Sequence, residues 1–240
     1  MKIALAFWGI TRSLKFTIES IEAKIFKALR KNNIQFIVFM HTYKLQNYEN
    51  IRTGEKNKNV NNEEYKLVNP HFIQIDDQSE ISKKLNLTRY RKKPDPWKTK
   101  YNSVDNFILA IYSKSKVTRM IKRSKIEFDY IVFLRPDVQY LDDLKIDFFN
   151  KANNNTICIP NFHLFSPYRF NDRFCICNKN TYRQYGDIFD KLLPLSEKQS
   201  LHSETIIGQL MNQYKINVIR IDFRFLRVRC DGKAEENRFS

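Results

Sequence analysis

The chain has 240 residues, of which 42% are hydrophobic and 14% are aromatic. This composition predicts a folded chain with a large core and excludes a protein that is disordered along its whole length. The formal net charge of +16 favours anionic partners such as nucleotide diphosphates, nucleic acid or acidic membrane surfaces, without choosing among them.

We expect neither a signal peptide nor a transmembrane helix. The apolar run after Met1 and Lys2 is too short for a signal peptide, and no stretch reaches the roughly 20 apolar residues that span a bilayer. The four cysteines include one Cys-x-Cys and no second matching pair, which is weak evidence for zinc, so we interpret them as reduced thiols. These features predict a cytoplasmic protein.

The first part of the chain predicts a strand, a helix and a second strand. Residues 3–8 and 35–40 are apolar, and residues 14–31 carry apolar side chains three and four positions apart. A βαβ start of this kind implies a right-handed crossover and a parallel sheet. Residues 46–64 are rich in Asn, Lys and Glu, and we predict a long loop or mobile insert there.

The rest of the chain continues the alternation of strands and helices. The predicted elements are a strand at 72–75, helices at 79–87 and 101–122, strands at 131–134, 157–160 and 174–177, helices at 179–192 and 205–213, and a strand at 218–221. The continuous apolar run at 131–134 is typical of a central strand that is buried on both faces. Because no repeat or Pro-rich linker divides the chain, we predict one α/β domain over residues 1–240.

Two charged residues directly follow this central strand. Open α/β sheets bind ligands at the carboxyl ends of their strands, where Arg135 and Asp137 are expected. Asp137 can supply an oxygen ligand to Mg²⁺ or Mn²⁺, and such a cation would also bind the oxygens of a diphosphate. The same two residues could equally form an ion pair that closes a turn.

Four further candidates follow the first two strands. Gly9 allows close approach of the backbone, and Arg12 lies near the start of a helix, where a phosphate is well placed. His41 and Thr42 could hold a base or a ribose. A plain tight turn and an ordinary histidine at the end of a strand would explain the same residues equally well.

Two acids in the last third of the chain are candidates for catalysis. Asp172 and Glu204 could bind the hydroxyl groups of an acceptor, or remove a proton from one. Asp172 could instead pair only with Arg169 or Arg173, and Glu204 could only favour the N-terminus of a helix.

Five segments spread along most of the chain carry a family resemblance. They are Phe7–Ser13, Phe39–Tyr43, Phe133–Asp137, Asn171–Phe174 and His202–Glu204. Together and in this order, they resemble a family of GT-A-type glycosyltransferases known from bacteria and large DNA viruses. The resemblance implies a single Rossmann-like GT-A domain, with a mainly parallel central sheet flanked by helices, that moves a sugar from a nucleotide-sugar donor to a glycan or glycoprotein acceptor.

The resemblance also implies roles for the candidate residues. It places Gly9, Arg12, His41, Thr42 and Arg135 around the nucleotide, Asp137 at a Mn²⁺ or Mg²⁺ ion or at the donor sugar, and Asp172 and Glu204 on the acceptor side. The sequence Arg135-Pro136-Asp137 takes the place of the family's Asp-x-Asp metal motif. Because Arg135 replaces the first acid and cannot bind a cation, the motif leaves metal dependence open.

Two other functions stay open. Pro136-Asp137 followed by Asp143-Leu144-Lys145 matches the metal site of some nucleases superficially, and the positive charge suits DNA, but the gap is short for two strands and a turn. A non-catalytic nucleic-acid-binding domain is the third option, although the basic residues form no single stripe interleaved with aromatic residues. We rank both below the transferase and do not expect nucleic acid as a partner.

Overall fold

The computed structural model describes residues 1–236, apart from the side chain of residue 57, and residue 239. Its strands are β1 (Lys2–Trp8), β2 (Gln35–Lys44), β3 (Asn47–Asn50), β4 (Glu55–Asn59), β5 (Phe72–Asp77), β6 (Tyr130–Leu134), β7 (Val138–Tyr140), β8 (Thr156–Pro160), β9 (Cys175–Asn178), β10 (Asn217–Ile221) and β11 (Phe225–Arg227). Its α-helices are α1 (Leu14–Ile21), α2 (Lys27–Lys31), α3 (Gln78–Leu85), α4 (Asn102–Arg123), α5 (Ile146–Lys151), α6 (Tyr182–Gly186), α7 (Phe189–Lys198) and α8 (Ser203–Gln213). A π-helical segment, Glu22–Phe26, joins α1 to α2.

The central sheet has seven strands in the order β10-β8-β9-β6-β1-β2-β5. Within the described part of this sheet, β9 alone runs antiparallel to its neighbours, and the other pairings are parallel. The predicted α/β architecture, with a mainly parallel central sheet flanked by helices, is confirmed. Parallel strands end at one edge of the sheet, and the antiparallel β9 begins at that same edge, so the residues after β1 and β6 and before β9 meet there.

The sheet separates two hydrophobic cores. In β1, Leu5 and Phe7 contribute to one core, while Ala6 and Trp8 contribute to the other, as the alternation of side chains along a strand requires. Helices α1, α2 and α5 cover the first core, and α4, α6, α7 and α8 cover the second. Burial on both faces explains why the central strands are continuous apolar runs.

Two segments near the start of the chain differ from the prediction. Strand β2 continues to Lys44, so His41 and Thr42 lie inside the strand and not after it. Residues 46–64, predicted as a long loop or mobile insert, contain an antiparallel hairpin of β3 and β4. The polar composition of this hairpin conceals it, because among the described side chains of β3 and β4 Tyr48 alone joins a hydrophobic cluster, together with the flanking Leu45 and Val60.

The helix predicted at 179–192 is two helices, α6 and α7. Gly186 ends α6 so close to the second core that a Cβ at this position would lie 2.2 Å from Thr118 Oγ1. Ser115 compensates for the helical hydrogen bonds lost at the break. Its hydroxyl donates to the carbonyl of Gly186 at 3.2 Å and accepts from the N–H of Phe189 at 3.2 Å.

A second small sheet, formed by β7 and β11, brings the basic C-terminal segment to the turn after β6. Arg227 of β11 pairs with Val138 of β7, and the N–H of Val228 donates to the carbonyl of Asp137 at 2.9 Å. The sequence did not predict this pairing, because each strand has only three residues. Separately, none of the helices in the described residues combines the length and the apolar character needed to cross a bilayer.

Candidate functional site

A cleft of about 580 Å³ lies at the carboxyl edge of the central sheet. Gly9 lines it directly after β1, Arg135 directly after β6, and Asp172 and Arg173 just before β9. The antiparallel pairing of Cys175 in β9 with a residue near the end of β6 places the start of β9 at this edge. The volume is within the range of pockets that bind small molecules and cofactors.

Asp137 is the buried centre of an arginine cluster in this cleft. Arg135 donates from Nε to Oδ1 at 2.7 Å and from Nη2 to Oδ2 at 2.8 Å, and Arg12 Nη2 donates to Oδ2 at 3.1 Å. Burial raises the pKa of Asp137, but the two guanidinium groups outweigh burial and hold that pKa well below its usual range. Asp137 is therefore an anion that fixes two arginines at the cleft.

The donor set around Asp137 does not fit a divalent cation. Mg²⁺ and Mn²⁺ need carboxylate oxygens with free lone pairs directed at the ion, usually from more than one residue. Both oxygens of Asp137 already accept hydrogen bonds from guanidinium groups. Within residues 1–236 and 239, no three His, Cys, Asp or Glu side chains are grouped so that they could hold a metal ion.

The hairpin of β3 and β4 holds Arg12 in place from the other side. The Arg12 guanidinium lies over the ring of Tyr48, 4.3 Å from its centroid, and Nη1 is 3.6 Å from Glu55 Oε2. The predicted insert therefore contributes to the cleft, which it also lines through Asn50 and Thr53. The sequence of residues 46–64 does not indicate this contact with Arg12, because Tyr48 and Glu55 come from different strands of the hairpin.

Beside this cluster, three more arginines form a second group in the cleft, whose lining also includes Arg52. They are Arg173, Arg227 and Arg229, and the carboxylate of Glu235 lies among them. Arg229 also approaches Glu55, with 3.7 Å between Nη1 and Oε2. Arg227 and Arg229 belong to a basic segment near the end of the sequence, and the pairing of β7 with β11 brings them to the cleft.

Asp172 and Glu204, the predicted catalytic acids, both line the cleft. Glu204 is buried, and its carboxylate accepts a hydrogen bond from the hydroxyl of Ser203. Burial, followed by the negative charge of Asp172, raises the pKa of Glu204 above its usual range. Two carboxylates that interact in a cleft and differ in burial are a frequent arrangement at sites of proton transfer.

An aromatic wall borders the two acids. The ring of His202 stacks on Trp97 with 5.0 Å between centroids, and lies 5.7 Å from the ring of Phe165. Trp97 and Phe165 both line the cleft. His202 Nδ1 is 3.6 Å from Glu204 Oε2, so the wall and the acids are adjacent.

His41 and Thr42 do not belong to the cleft lining and are buried inside β2. His41 bonds through Nδ1 to Ser113 Oγ at 2.8 Å and through Nε2 to Asp76 Oδ2 at 3.1 Å, so both ring nitrogens have partners. Ser113 Oγ also accepts the N–H of Gly9 at 2.8 Å. His41 thus lies behind the turn that begins at Gly9 and is not part of the cleft lining.

Gly9, one of the predicted site residues, has a backbone conformation that favours glycine. Its φ is +99°, a region that residues with a Cβ rarely adopt, and a Cβ there would meet nothing within 4 Å. The backbone is therefore open to a ligand at this point. Of the predicted site residues, the structure brings Gly9, Arg12, Arg135, Asp137, Asp172 and Glu204 together in one cleft.

The acid expected for a nuclease site lies elsewhere. The side chain of Asp143 is 63% exposed and pairs with Lys24 at 3.0 Å, and it is not part of the cleft lining. Asp137 therefore has no second nuclease-type acid beside it from this motif.

No protein-family model matches the sequence, and no curated protein matches it significantly. Solved structures resemble the fold over 92% of this chain. They include apo mouse xyloside xylosyltransferase 1 (13% identity, TM-score 0.44, 86% of that chain covered) and the galactosyltransferase LgtC with donor and acceptor sugar analogs (15%, 0.46, 73%). A third is a glycosyltransferase involved in glycosylation of the major capsid of PBCV-1 (8%, 0.42, 82%).

Proposed function

We propose that the chain is a glycosyltransferase that moves a sugar from a nucleotide-sugar donor to a hydroxyl group of a glycan or glycoprotein. One observation carries the proposal. A single cleft, at the carboxyl edge of a mainly parallel sheet, joins a cluster of arginines to a pair of interacting carboxylates. Guanidinium groups suit the diphosphate that leaves, and carboxylates suit the hydroxyl that attacks.

The arginines would act on the leaving group. Transfer breaks the bond between the anomeric carbon of the sugar and an oxygen of the diphosphate, so negative charge develops on that oxygen. Arg12 and Arg135 are held in fixed positions by Asp137, and fixed cationic donors stabilise developing charge without reorganising during the reaction. Gly9 leaves the backbone open beside them.

The two acids would act on the acceptor. The raised pKa makes the Glu204 carboxylate a stronger base than an exposed glutamate, which suits removal of a proton from the attacking hydroxyl. Asp172 would bind a neighbouring hydroxyl. The aromatic rings of Trp97 and Phe165 offer an apolar surface on which one face of a sugar ring can pack.

No step of this scheme passes through a metal ion, because the residues around Asp137 do not fit one. A bacterial or viral origin belongs to the same proposal and rests on the sequence resemblance, while a cytoplasmic location is supported by the four free cysteines.

The test is release of nucleoside diphosphate from a panel of nucleotide sugars, with and without simple glycan acceptors, in buffers that contain either EDTA or Mn²⁺. We expect one donor to be turned over, and Glu204→Gln to lower turnover about 100-fold or more. The matched control is Glu197→Gln, which alters an exposed glutamate on α7 and should leave turnover unchanged. Release from no donor in either buffer would overturn the proposal.

A further inference from the structure

We propose that the cluster of Arg12, Arg135, Arg173, Arg227 and Arg229, named here the arginine site, binds a diphosphate without a divalent cation, and that Glu235 occupies it until the diphosphate displaces the Glu235 carboxylate. This inference rests on the proposed function, because it identifies how the same cleft holds the phosphate part of its donor. Three observations carry it: the position of Glu235, the excess of guanidinium groups over the carboxylates paired with them, and buried donors that have no hydrogen-bond partner.

Glu235 lies where an anion would bind. Its carboxylate accepts a hydrogen bond from Arg229 Nη2, Oε2 is 3.8 Å from Arg173 Nη1, and Oε1 is 3.8 Å from Arg227 Nε. One carboxylate thus faces three guanidinium groups. The longer distances show that it satisfies only one of the three with a hydrogen bond.

The arginine site contains more guanidinium groups than carboxylates paired with them. Ion pairs join its five guanidinium groups to three carboxylates, those of Glu55, Asp137 and Glu235. The charges of Asp172 and Glu204, at the other end of the cleft, also act on Arg173. If Glu235 moves away, two ion-paired carboxylates remain for the five guanidinium groups. Burial and the charge of Arg227 lower the pKa of Arg173 to about 10, as expected where like charges crowd together.

Three guanidinium nitrogens of the site are buried and have no hydrogen-bond partner within the described residues. They are Arg12 Nε, Arg227 Nε and Arg229 Nη1. Buried donors without partners are costly, and a diphosphate offers several acceptor oxygens that could satisfy them. A divalent cation would instead add charge of the same sign to an environment that is already positive. The site therefore favours the anion alone over an anion with its metal.

The exchange requires only a side chain to move. The N–H of Glu235 donates to the carbonyl of Arg227 at 2.8 Å, so the backbone is held while the carboxylate can rotate away. The side chain is 24% exposed, which gives it a route to water. A diphosphate, with a negative charge on each phosphate, then replaces the single charge of Glu235.

Isothermal titration with inorganic pyrophosphate and with uridine, guanosine and cytidine diphosphates, in EDTA and in Mn²⁺, tests the inference. We expect pyrophosphate to bind in EDTA, and Mn²⁺, which complexes pyrophosphate in solution, not to tighten that binding. We expect Glu235→Gln to tighten binding about tenfold, because the competing charge is lost, and Arg227→Gln or Arg229→Gln to weaken it about tenfold or more. Arg123→Gln and Glu197→Gln, at exposed sites on α4 and α7, are the matched charge controls.

The outcomes separate this inference from the proposed function. Binding that requires Mn²⁺, or a Glu235→Gln variant that binds no more tightly than the parent chain, would overturn the arginine site while turnover of a nucleotide sugar would still support the transferase. Binding in EDTA without turnover of any donor would support the site and overturn the transferase. Thermal unfolding of each variant shows whether a loss of binding reflects loss of the fold, and Glu235→Gln is informative in either case because its expected effect is a gain.

Discussion

Arg135 binds both oxygens of Asp137 through two hydrogen bonds, 2.7 Å from Nε to Oδ1 and 2.8 Å from Nη2 to Oδ2. The turn that joins them is fixed by Thr17, whose hydroxyl donates to the carbonyl of Pro136 at 2.6 Å. Such a paired geometry orients a guanidinium more strictly than a single contact does. We interpret Asp137 as the residue that orders the arginines of the cleft.

This interpretation predicts that Asp137 contributes strongly to stability. Asp137→Ala should lower the free energy of unfolding by about 3–5 kcal/mol, because it removes the counter-charge of Arg135 and one of the two carboxylates that neutralise the buried Arg12. Urea unfolding measures the change. Asp143→Ala is the control, since it breaks the exposed pair with Lys24 and should have a much smaller effect. Equal losses in the two variants would contradict an ordering role for Asp137.

The ends of the strands show how much of the site the sequence could reveal. Apolar runs located β1 and β6, and the rule that ligands bind at the carboxyl ends of parallel strands then selected Gly9, Arg12, Arg135 and Asp137, all of which line the cleft. The same rule selected His41, because it follows the apolar run of β2. The strand continues beyond that run, so His41 lies inside β2 and is hydrogen-bonded to Ser113 and Asp76. The apolar pattern of a segment does not show where its strand stops pairing with the neighbouring strands.

The arginines of the C-terminal segment could not be placed from the sequence. Arg227 and Arg229 reach the cleft only because the three-residue strands β7 and β11 pair, and Glu55 only because β3 and β4 fold into a hairpin. Strands β7 and β11 are far apart in sequence, and the β3–β4 hairpin has only a weak apolar pattern. The antiparallel direction of β9, which brings Arg173 to the same edge, likewise depends on pairing and leaves no periodic signal.

His41 provides a second prediction. If it supports the turn at Gly9 through Ser113, then His41→Phe should weaken binding of pyrophosphate and of a nucleoside diphosphate by the same factor, and cost about 1–3 kcal/mol of stability. Ser113→Ala should act through the same contact, so the double variant should lose less stability than the sum of the single losses. Titration and urea unfolding measure both effects. A loss confined to the nucleoside diphosphate would instead show that His41 contacts the base or ribose.

The pair of acids predicts a dependence of turnover on pH. Glu204 must be ionised to act as a base, and its pKa is raised by burial and by Asp172, so turnover should rise with pH through a pKa above that of an ordinary glutamate. Asp172→Asn removes the neighbouring charge and should move this acidic limb to lower pH, in addition to any loss of rate. The profile of kcat against pH measures the shift. An acidic limb that stays in place, or moves to higher pH, would show that the charge of Asp172 does not raise the pKa of Glu204.

Lys114 predicts a pH dependence of stability. It is fully buried, its Nζ lies 3.2 Å from the hydroxyl of Tyr185 and 4.5 Å from the centroid of the Trp8 ring, and burial lowers its pKa from 10.5 to about 8. The folded state therefore binds fewer protons than the unfolded chain between these two values, and the free energy of unfolding gains a contribution that rises with pH across that window.

The contribution of Lys114 to the free energy of unfolding can be tested with one variant. Between pH 8 and pH 9.5 this contribution should rise by about 2 kcal/mol. Buried thiols and tyrosines with raised pKa values oppose the rise in both proteins. Because the charge of Lys114 acts on Cys175 and its Nζ contacts Tyr185, the difference in stability reports Lys114 together with its effect on these two neighbours. Urea unfolding at both pH values should show Lys114→Met more stable than the parent chain at pH 8, with the gap narrower by about 2 kcal/mol at pH 9.5. A gap that stays constant would mean that Lys114 does not titrate in this window.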